Sequence, residues 1–205
     1  MSSGDMALQA LVFDLGGVIV PHDNDVLYAR LASRCTAADA LERIRDGSLD
    51  DRYGTGEQSI PTLHRRFVDE LGYDGDWDTF AGQWCSHLGI DDAMLDLVGR
   101  LARSNRVMLF SNTNQVHWDY LDALSGGVLG QLEAYLSYDI GAVKPDLAAF
   151  ALVAERAGIA PARSLFIDDR MDNVEAARRA GYQAEPFTDQ ATLEALLRSH
   201  GVRWT

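Results

Sequence analysis

Leu8-Gln9-Ala10-Leu11-Val12-Phe13-Asp14-Leu15-Gly16-Gly17 is the stretch on which the fold of this chain turns. Residues 8–13 are short, apolar and partly β-branched, and Asp14 with the Gly16-Gly17 pair ends the run. That pattern predicts a strand buried on both faces. Comparable runs lie at 107–110, 135–137 and 164–167, with a weaker one at 182–184. Between them, helical periodicity is expected over 91–103, 115–124, 147–157, 173–180 and 190–199. Gly158 and Gly181 stand where helices take C-terminal caps. Strand and helix in alternation predict an α/β fold, a parallel sheet with helices on both faces, and such sheets bind ligands at the carboxyl ends of their strands.

One interval breaks the alternation. Between the first strand and residue 91 the chain has little strand character and carries helical patterns at 25–45, 61–71 and near 77–88, with Ser59 and Pro61 suited to a helix start. So long a segment exceeds a simple βα loop. Residues 22–88 are therefore expected to form an inserted helical cap over the strand ends, with 8–21 and 89–205 forming the core domain.

Composition limits the function. The chain has 205 residues, 47% of them hydrophobic and 24% charged, with no apolar run long enough for a membrane span. The first ten residues lack the pattern of a secretory signal, so the expected location is cytoplasmic, and Cys35 and Cys85 are expected as free, partly buried thiols. A formal net charge of −13 without a basic stripe argues against nucleic-acid and membrane partners. The five histidines, His22, His64, His87, His117 and His200, have no zinc-ligand spacing, so oxygen ligands are expected for any metal. Oligomeric state has no signature.

Polar sets follow four of the strands: Asp14 after the first, Ser111-Asn112-Thr113-Asn114 after the second, Gly141-Ala142-Val143-Lys144-Pro145 after the third, and Asp168-Asp169 with Asp172-Asn173 after the fourth. Singly each has a bland explanation, such as a cap, a turn or a surface lysine. Together they are complementary. Adjacent aspartates at a strand end call for a cation, while hydroxyl, amide and ammonium groups on neighbouring strand ends supply the donors a phosphate needs.

In these residues the chain resembles the haloacid dehalogenase (HAD) superfamily across nearly its whole length. Residues 13–18, Phe-Asp-Leu-Gly-Gly-Val, are similar to its first motif. Ser111-Asn112, Lys144-Pro145, and Ile167-Asp168-Asp169 with Asn173 are similar to the second, third and fourth. The Ser-Asn-Thr-Asn and Asp-Asp-x-x-Asp-Asn patterns resemble its α-D-glucose-1-phosphate phosphatase-like members, and the insert resembles the helical cap of its first (C1) class. The resemblance implies a Rossmann-like core and a magnesium-dependent phosphatase for a small phosphorylated metabolite. Asp14 would attack phosphorus to form an aspartyl-phosphate that water then hydrolyses. Mg2+ would be held by Asp14, the Gly16 carbonyl and Asp169, with Asp168 and Asn173 in support. Ser111, Asn112 and Lys144 would bind the phosphoryl group, and Lys144 would also serve catalysis. Asn114, Arg170 and Asp172 are expected only to cap helices or orient loops.

The chain departs from the family in one place. Most phosphatases of the superfamily carry an acid/base aspartate two residues after the nucleophile, and here that residue is Gly16. His22 and Asp23 are replacements to weigh, with a solvated hinge as the favoured role of both. Two other readings stay open: a 2-haloacid dehalogenase, which needs no acid at the leaving group, and a catalytically impaired binding protein that keeps the fold. For the cap side of the site, Arg52, Tyr53, Glu57, His64, Arg65 and Trp84 are the candidates for substrate contact.

Overall fold

Four-residue alternation buried on both sides makes the centre of the molecule. In Ala10–Phe13 (β1), Leu11 and Phe13 face one way and Ala10 and Val12 the other, and all four are buried. This computed structural model describes residues 7–46 and 51–205, without the side chains of 51 and 52. β1 pairs in parallel with Val107–Ser111 (β2) on one side and Ser164–Asp168 (β4) on the other. Glu133–Leu136 (β3) and Gln183–Pro186 (β5) complete a five-stranded sheet in the order β3-β2-β1-β4-β5, with every pairing parallel.

Helices cover both faces. Met94, Leu97, Val98 and Leu101 of Asp92–Ala102 (α6), with Leu193 and Leu197 of Gln190–Ser199 (α11), pack on Leu11, Phe13, Leu109 and Ile167. On the opposite face, Phe150 and Val153 of Leu147–Ala157 (α9) and Val174 and Ala177 of Met171–Arg179 (α10) meet Val12, Met108, Phe110 and Phe166. Alternate strand residues thus feed two separate cores, which is why the strands read as unbroken apolar runs.

The remaining helices before α6 are Asn24–Ala32, Ala40–Arg45, Asp51–Gly54, Ile60–Leu71 and Trp77–Cys85. They enclose a third cluster of their own, built on Leu27, Leu31, Leu63, Phe67, Tyr73, Phe80 and Trp84. Its aromatic rings meet edge-to-face or stacked, with Phe80 at 5.2 Å from Phe67, 5.4 Å from Tyr73 and 5.9 Å from Trp84. One antiparallel bridge, His22 with Leu88, closes the two ends of this unit: Gly89 N–H donates to Pro21 O at 3.0 Å and Asp23 N–H to His87 O at 3.4 Å.

Several expected boundaries move, each for a local reason. The helical pattern at 25–45 is two helices, because Thr36 and Ala37 donate their N–H groups to Leu71 O instead of continuing the ladder. Ser137 leaves the third strand and opens a helical turn, Ser137–Ile140, since its hydroxyl is bonded to both N–H and C=O of Thr113. Tyr182 precedes β5 and turns its ring inward, donating to Phe150 O at 3.0 Å. Ser59 stands at the N-cap of Ile60–Leu71 but caps no backbone amide; its hydroxyl meets that of Thr62 at 3.1 Å.

Phe80 is fully buried at the hub of the aromatic cluster. Phe80→Ala is therefore expected to destabilise the protein by about 3–5 kcal/mol, read as a lowered urea midpoint. A shift within error would mean that the cluster relaxes around the missing ring.

Candidate active site

The site is made where three neighbouring strands, β2, β1 and β4, end side by side. Asp14 follows β1 directly, and its backbone N–H is held by Ile167 O at 2.9 Å. The following amide, Leu15 N–H, donates back to Asp14 Oδ1 at 2.6 Å, which fixes the carboxylate over the turn. Asp168 is the last residue of β4 and has no exposed surface. Between the two carboxylates lies the Lys144 ammonium, 2.9 Å from Asp14 Oδ1 and 2.7 Å from Asp168 Oδ2. Lys144 is only 3% exposed, so the bland expectation of a solvated surface lysine does not hold.

The loop that delivers Lys144 is clamped. The Asn112 side-chain amide donates to Lys144 O at 2.7 Å, and its carbonyl accepts from Lys144 N–H at 2.8 Å. Asp168 is held just as firmly, by Asn173 Nδ2 at 3.0 Å to each oxygen and by Arg170 N–H at 2.9 Å. Ser111 is buried at the end of β2. Asn114 caps Gln115–Leu124 (α7) by accepting from His117 N–H, and Arg170 pairs with Asp172 at 2.7 Å on the surface, as expected of residues that only orient the loops.

Carboxylate oxygens of Asp14, Asp168 and Asp169 lie within 4.8 Å of one another, the only such grouping of possible ligands among the described residues. Burial raises the Asp14 pKa well above the carboxylate range; Lys144 opposes the rise and Asp168 adds to it. Asp169, though more exposed, is also raised, by partial burial first and Asp168 second. Three carboxylates against one ammonium leave two negative charges, the charge of one divalent cation. An all-oxygen set of this kind suits a hard ion such as Mg2+.

The two glycines of the turn differ. Gly17 has φ +69°, and a Cβ there would collide with the Asp169 carboxylate, so only glycine lets that carboxylate come in. Gly16 has no such φ, and a Cβ would meet only the His22 ring, at 3.4 and 3.7 Å. A Cβ at residue 16 would therefore make ordinary van der Waals contact and no clash. Asp23 caps the helix Asn24–Ala32 by accepting from Val26 N–H, and His22 is exposed with its ring beside Gly16.

A cavity of about 420 Å³ opens from this floor toward the helical insert. Leu15, Gly16, Ser111, Asn112 and Lys144 line it together with Tyr28, Tyr53, Trp84 and His87 of the helical segment. Of the candidates for substrate contact, Tyr53 and Trp84 line it. His64 does not: its Nε2–H donates to Gly75 O at 2.9 Å and its ring packs on Phe80. Arg65 bonds to Thr62, and Glu57 is exposed away from the lining. The side chain of Arg52 lies outside the described residues. His22, His87 and His117 converge on the cavity although far apart in sequence, and spacing gave no sign of it. His87 and His117 sit 5.3 Å apart between ring centres.

A model of the haloacid dehalogenase-like hydrolase family matches residues 8–181. The D-ribitol-5-phosphate phosphatase of Bacteroides thetaiotaomicron is 26% identical over 86% of this chain and 90% of its own length. Among solved structures, a HAD family enzyme from the same organism, in complex with magnesium and inorganic phosphate, superposes with a TM-score of 0.79 at 24% identity, covering 91% of this chain and 99% of that one. The L-2-haloacid dehalogenase of Xanthobacter autotrophicus with covalently bound chloropropionic acid gives 0.61 at 19%, covering 96% and 84%. These structural likenesses concern the fold.

The histidines beside the cavity carry a pH consequence. His117 Nε2–H donates to Trp84 O at 3.1 Å while Nδ1 faces the Asn114 amide N–H at 3.1 Å, an arrangement open only to the neutral ring. Burial, with His87 nearby, pushes its pKa down to about 3, and burial with His22 nearby pushes His87 down to about 4. The unfolded chain takes up these protons near pH 6.5, so stability is full above that value and falls as pH drops toward 4. The expected slope is on the order of 1 kcal/mol per pH unit for each ring, read from urea midpoints between pH 7.5 and 4.5. His117→Gln should flatten it; an identical slope in that variant would remove His117 as the cause.

Proposed function

The chain belongs to the haloacid dehalogenase-like hydrolases, and from that premise we propose that it is a Mg2+-dependent phosphatase of a small phosphorylated metabolite whose leaving group is an uncharged polyol or sugar. The observation that carries the reading is the Asp14–Lys144–Asp168 cluster beside Asp169, of which Lys144 lines the cavity. An Asp14 carboxylate oxygen attacks phosphorus in line, the bond from phosphorus to the substrate oxygen breaks, and that oxygen leaves with the electron pair. Water then attacks the phosphorus of the aspartyl-phosphate and Asp14 departs as the carboxylate. Bound Mg2+ would be held by Asp14, Asp169 and the Gly16 carbonyl and would neutralise the phosphoryl charge. Lys144 adds its positive charge on the phosphoryl side, Ser111 and the Asn112 amide supply further donors, and Asp168 and Asn173 hold Lys144 and the ligand loop in place.

Residues 22–88 serve as the cap in this reading, with 8–21 and 89–205 as the core domain. The free thiols Cys35 and Cys85 accord with a reducing compartment such as the cytoplasm. One observation favours phosphate over a halocarboxylate. Among the described residues lining the cavity the only Lys and Arg are Lys144 and Arg170, both already paired with aspartates, and none comes from the insert. Among the described residues, the insert contributes no cation to the lining that would hold a halocarboxylate's carboxylate. The same lining contains no Asp or Glu to receive an amine. The D-ribitol-5-phosphate named for the 26% identical relative is a substrate of the neutral polyol kind.

Asp14→Asn is expected to abolish turnover of phosphate monoesters, and a chelator is expected to stop the wild type until Mg2+ is returned. Activity in Asp14→Asn would sink the nucleophile, and full activity in chelator would favour the dehalogenase. Binding of Mg2+ and phosphate with no turnover of any activated ester would point instead to a binding protein.

Gly16 bears on the leaving group. With no acid at residue 16, the first step should depend steeply on how well the departing oxygen carries negative charge, so aryl, acyl and anomeric phosphates should outrun simple alkyl esters. Gly16→Asp, whose Cβ the turn accepts without a clash, should raise alkyl-ester rates most. A graded series of monoesters under steady-state conditions checks this. A flat series in wild type, with chemistry rate-limiting, would mean that another acid protonates the leaving oxygen.

A further inference from the structure

Where the helical insert lies on the core, one side chain connects it to the loop that bears Ser111 and Asn112. That loop is rigid. Asn112 is bonded both ways to the Lys144 backbone, and the N–H and carbonyl of Thr113 are both bonded to the Ser137 hydroxyl, at 2.9 and 3.0 Å. The last residue of the loop, Asn114, turns both ends of its side chain to His117: Oδ1 accepts from the backbone N–H and Nδ2 donates to ring Nδ1, each at 3.1 Å. The ring proton therefore sits on Nε2, which donates to Trp84 O at 3.1 Å in the insert helix Trp77–Cys85. Leu88 N–H, which would close the next helical bond on that carbonyl, goes to Cys85 O at 3.0 Å instead. A weaker bond beside it, from Cys85 Sγ–H to Val116 O at 3.8 Å, joins the same two helices. The Trp84 ring stacks on His117 at 5.2 Å and 20°, and on Phe80 at 5.9 Å and 11°. Because Phe80 is the hub of the insert's own core, a hold on Trp84 is a hold on the whole helical unit.

We propose that His117 is a positioning residue that fixes the insert at a set distance from the loop bearing Ser111 and Asn112, and thereby sets how closely the cavity fits the leaving group. The inference rests on the phosphatase reading above. Tyr28, Tyr53 and Trp84 come to the cavity lining from the insert, whereas Ser111, Asn112 and Lys144 come to it from the core. A phosphoryl group held by the core residues gains nothing from the insert's position, but a leaving group long enough to reach the insert does. Its binding energy is realised only if the two sides keep their separation. Loss of the link therefore weakens binding of a large leaving group and spares a small one, an effect that falls on KM.

Phenyl phosphate and acetyl phosphate separate the two cases, since both have stabilised leaving oxygens and they differ in reach. With Mg2+ present, His117→Leu is expected to lower kcat/KM for phenyl phosphate about tenfold, mainly through KM, and for acetyl phosphate less than about twofold. His117→Gln, which keeps an N–H donor at similar reach to Trp84 O, should recover most of that loss. Asn114→Ser keeps an oxygen for the helix cap and removes the amide that sets the His117 tautomer; it should show the same selectivity at about threefold, and it carries the test if His117→Leu does not fold. Equal losses on the two esters, or no loss on phenyl phosphate, overturn the proposal, as does a His117→Gln no better than His117→Leu or a wild type that acts on acetyl phosphate alone. A wild type that cleaves neither ester overturns the phosphatase reading, and the positioning proposal with it.

Discussion

A buried ammonium shared by two buried carboxylates organises the carboxyl edge of this sheet. Taking Lys144, Asp14 and Asp168 out of water is costly, and the Coulombic gain offsets that cost only if geometry and hydrogen bonds are nearly complete. The surrounding residues meet that demand. Asn112 holds both backbone groups of Lys144, Asn173 serves both oxygens of Asp168, and the amides of Leu15 and Arg170 serve the remaining sides. Removing one member leaves the others with uncompensated charge, so the loops after four strands are locked into one arrangement by a single ion cluster.

The same cluster is short of positive charge. Burial is the main cause of the raised proton affinity of Asp14 and Asp169, and repulsion from Asp168 is a further one. Gly17 belongs to this economy of space: its missing Cβ is what admits the Asp169 carboxylate to the group. Gly16, one residue earlier, has no positive φ, and a Cβ there would meet only the His22 ring.

The sheet was readable because β1, β2 and β4 are buried on both faces and so are written as unbroken apolar runs, and the polar residues that follow them mark where they end. Asp14, Lys144, Asp168 and Asp169 were legible as a set for that reason. Element ends were less so, since the hydroxyl of Ser137 and the ring of Tyr182 choose tertiary partners over their own strands. The cavity wall was the least legible part. Tyr28, His87 and His117 reach it through helix crossings and the His22–Leu88 bridge, contacts between residues distant in sequence with no periodic signature. His64, which reads as a substrate contact, is instead taken up by the aromatic cluster.

The strand that bears Asp14 lies at the middle of the sheet, yet it comes first in the chain. During synthesis it therefore leaves the ribosome with both hydrogen-bonding edges open, and its partners begin only at Val107 and Ser164. By then the whole helical insert, with an apolar cluster of its own, has already been made. The order of translation thus sets a waiting period in which a flat apolar strand has no neighbour. Contacts of such long sequence separation form slowly, and exposed strand edges of this kind invite association between chains. The position that gives the strand before Asp14 a neighbour on either side is also the one that keeps it waiting from the first strand made until the fourth.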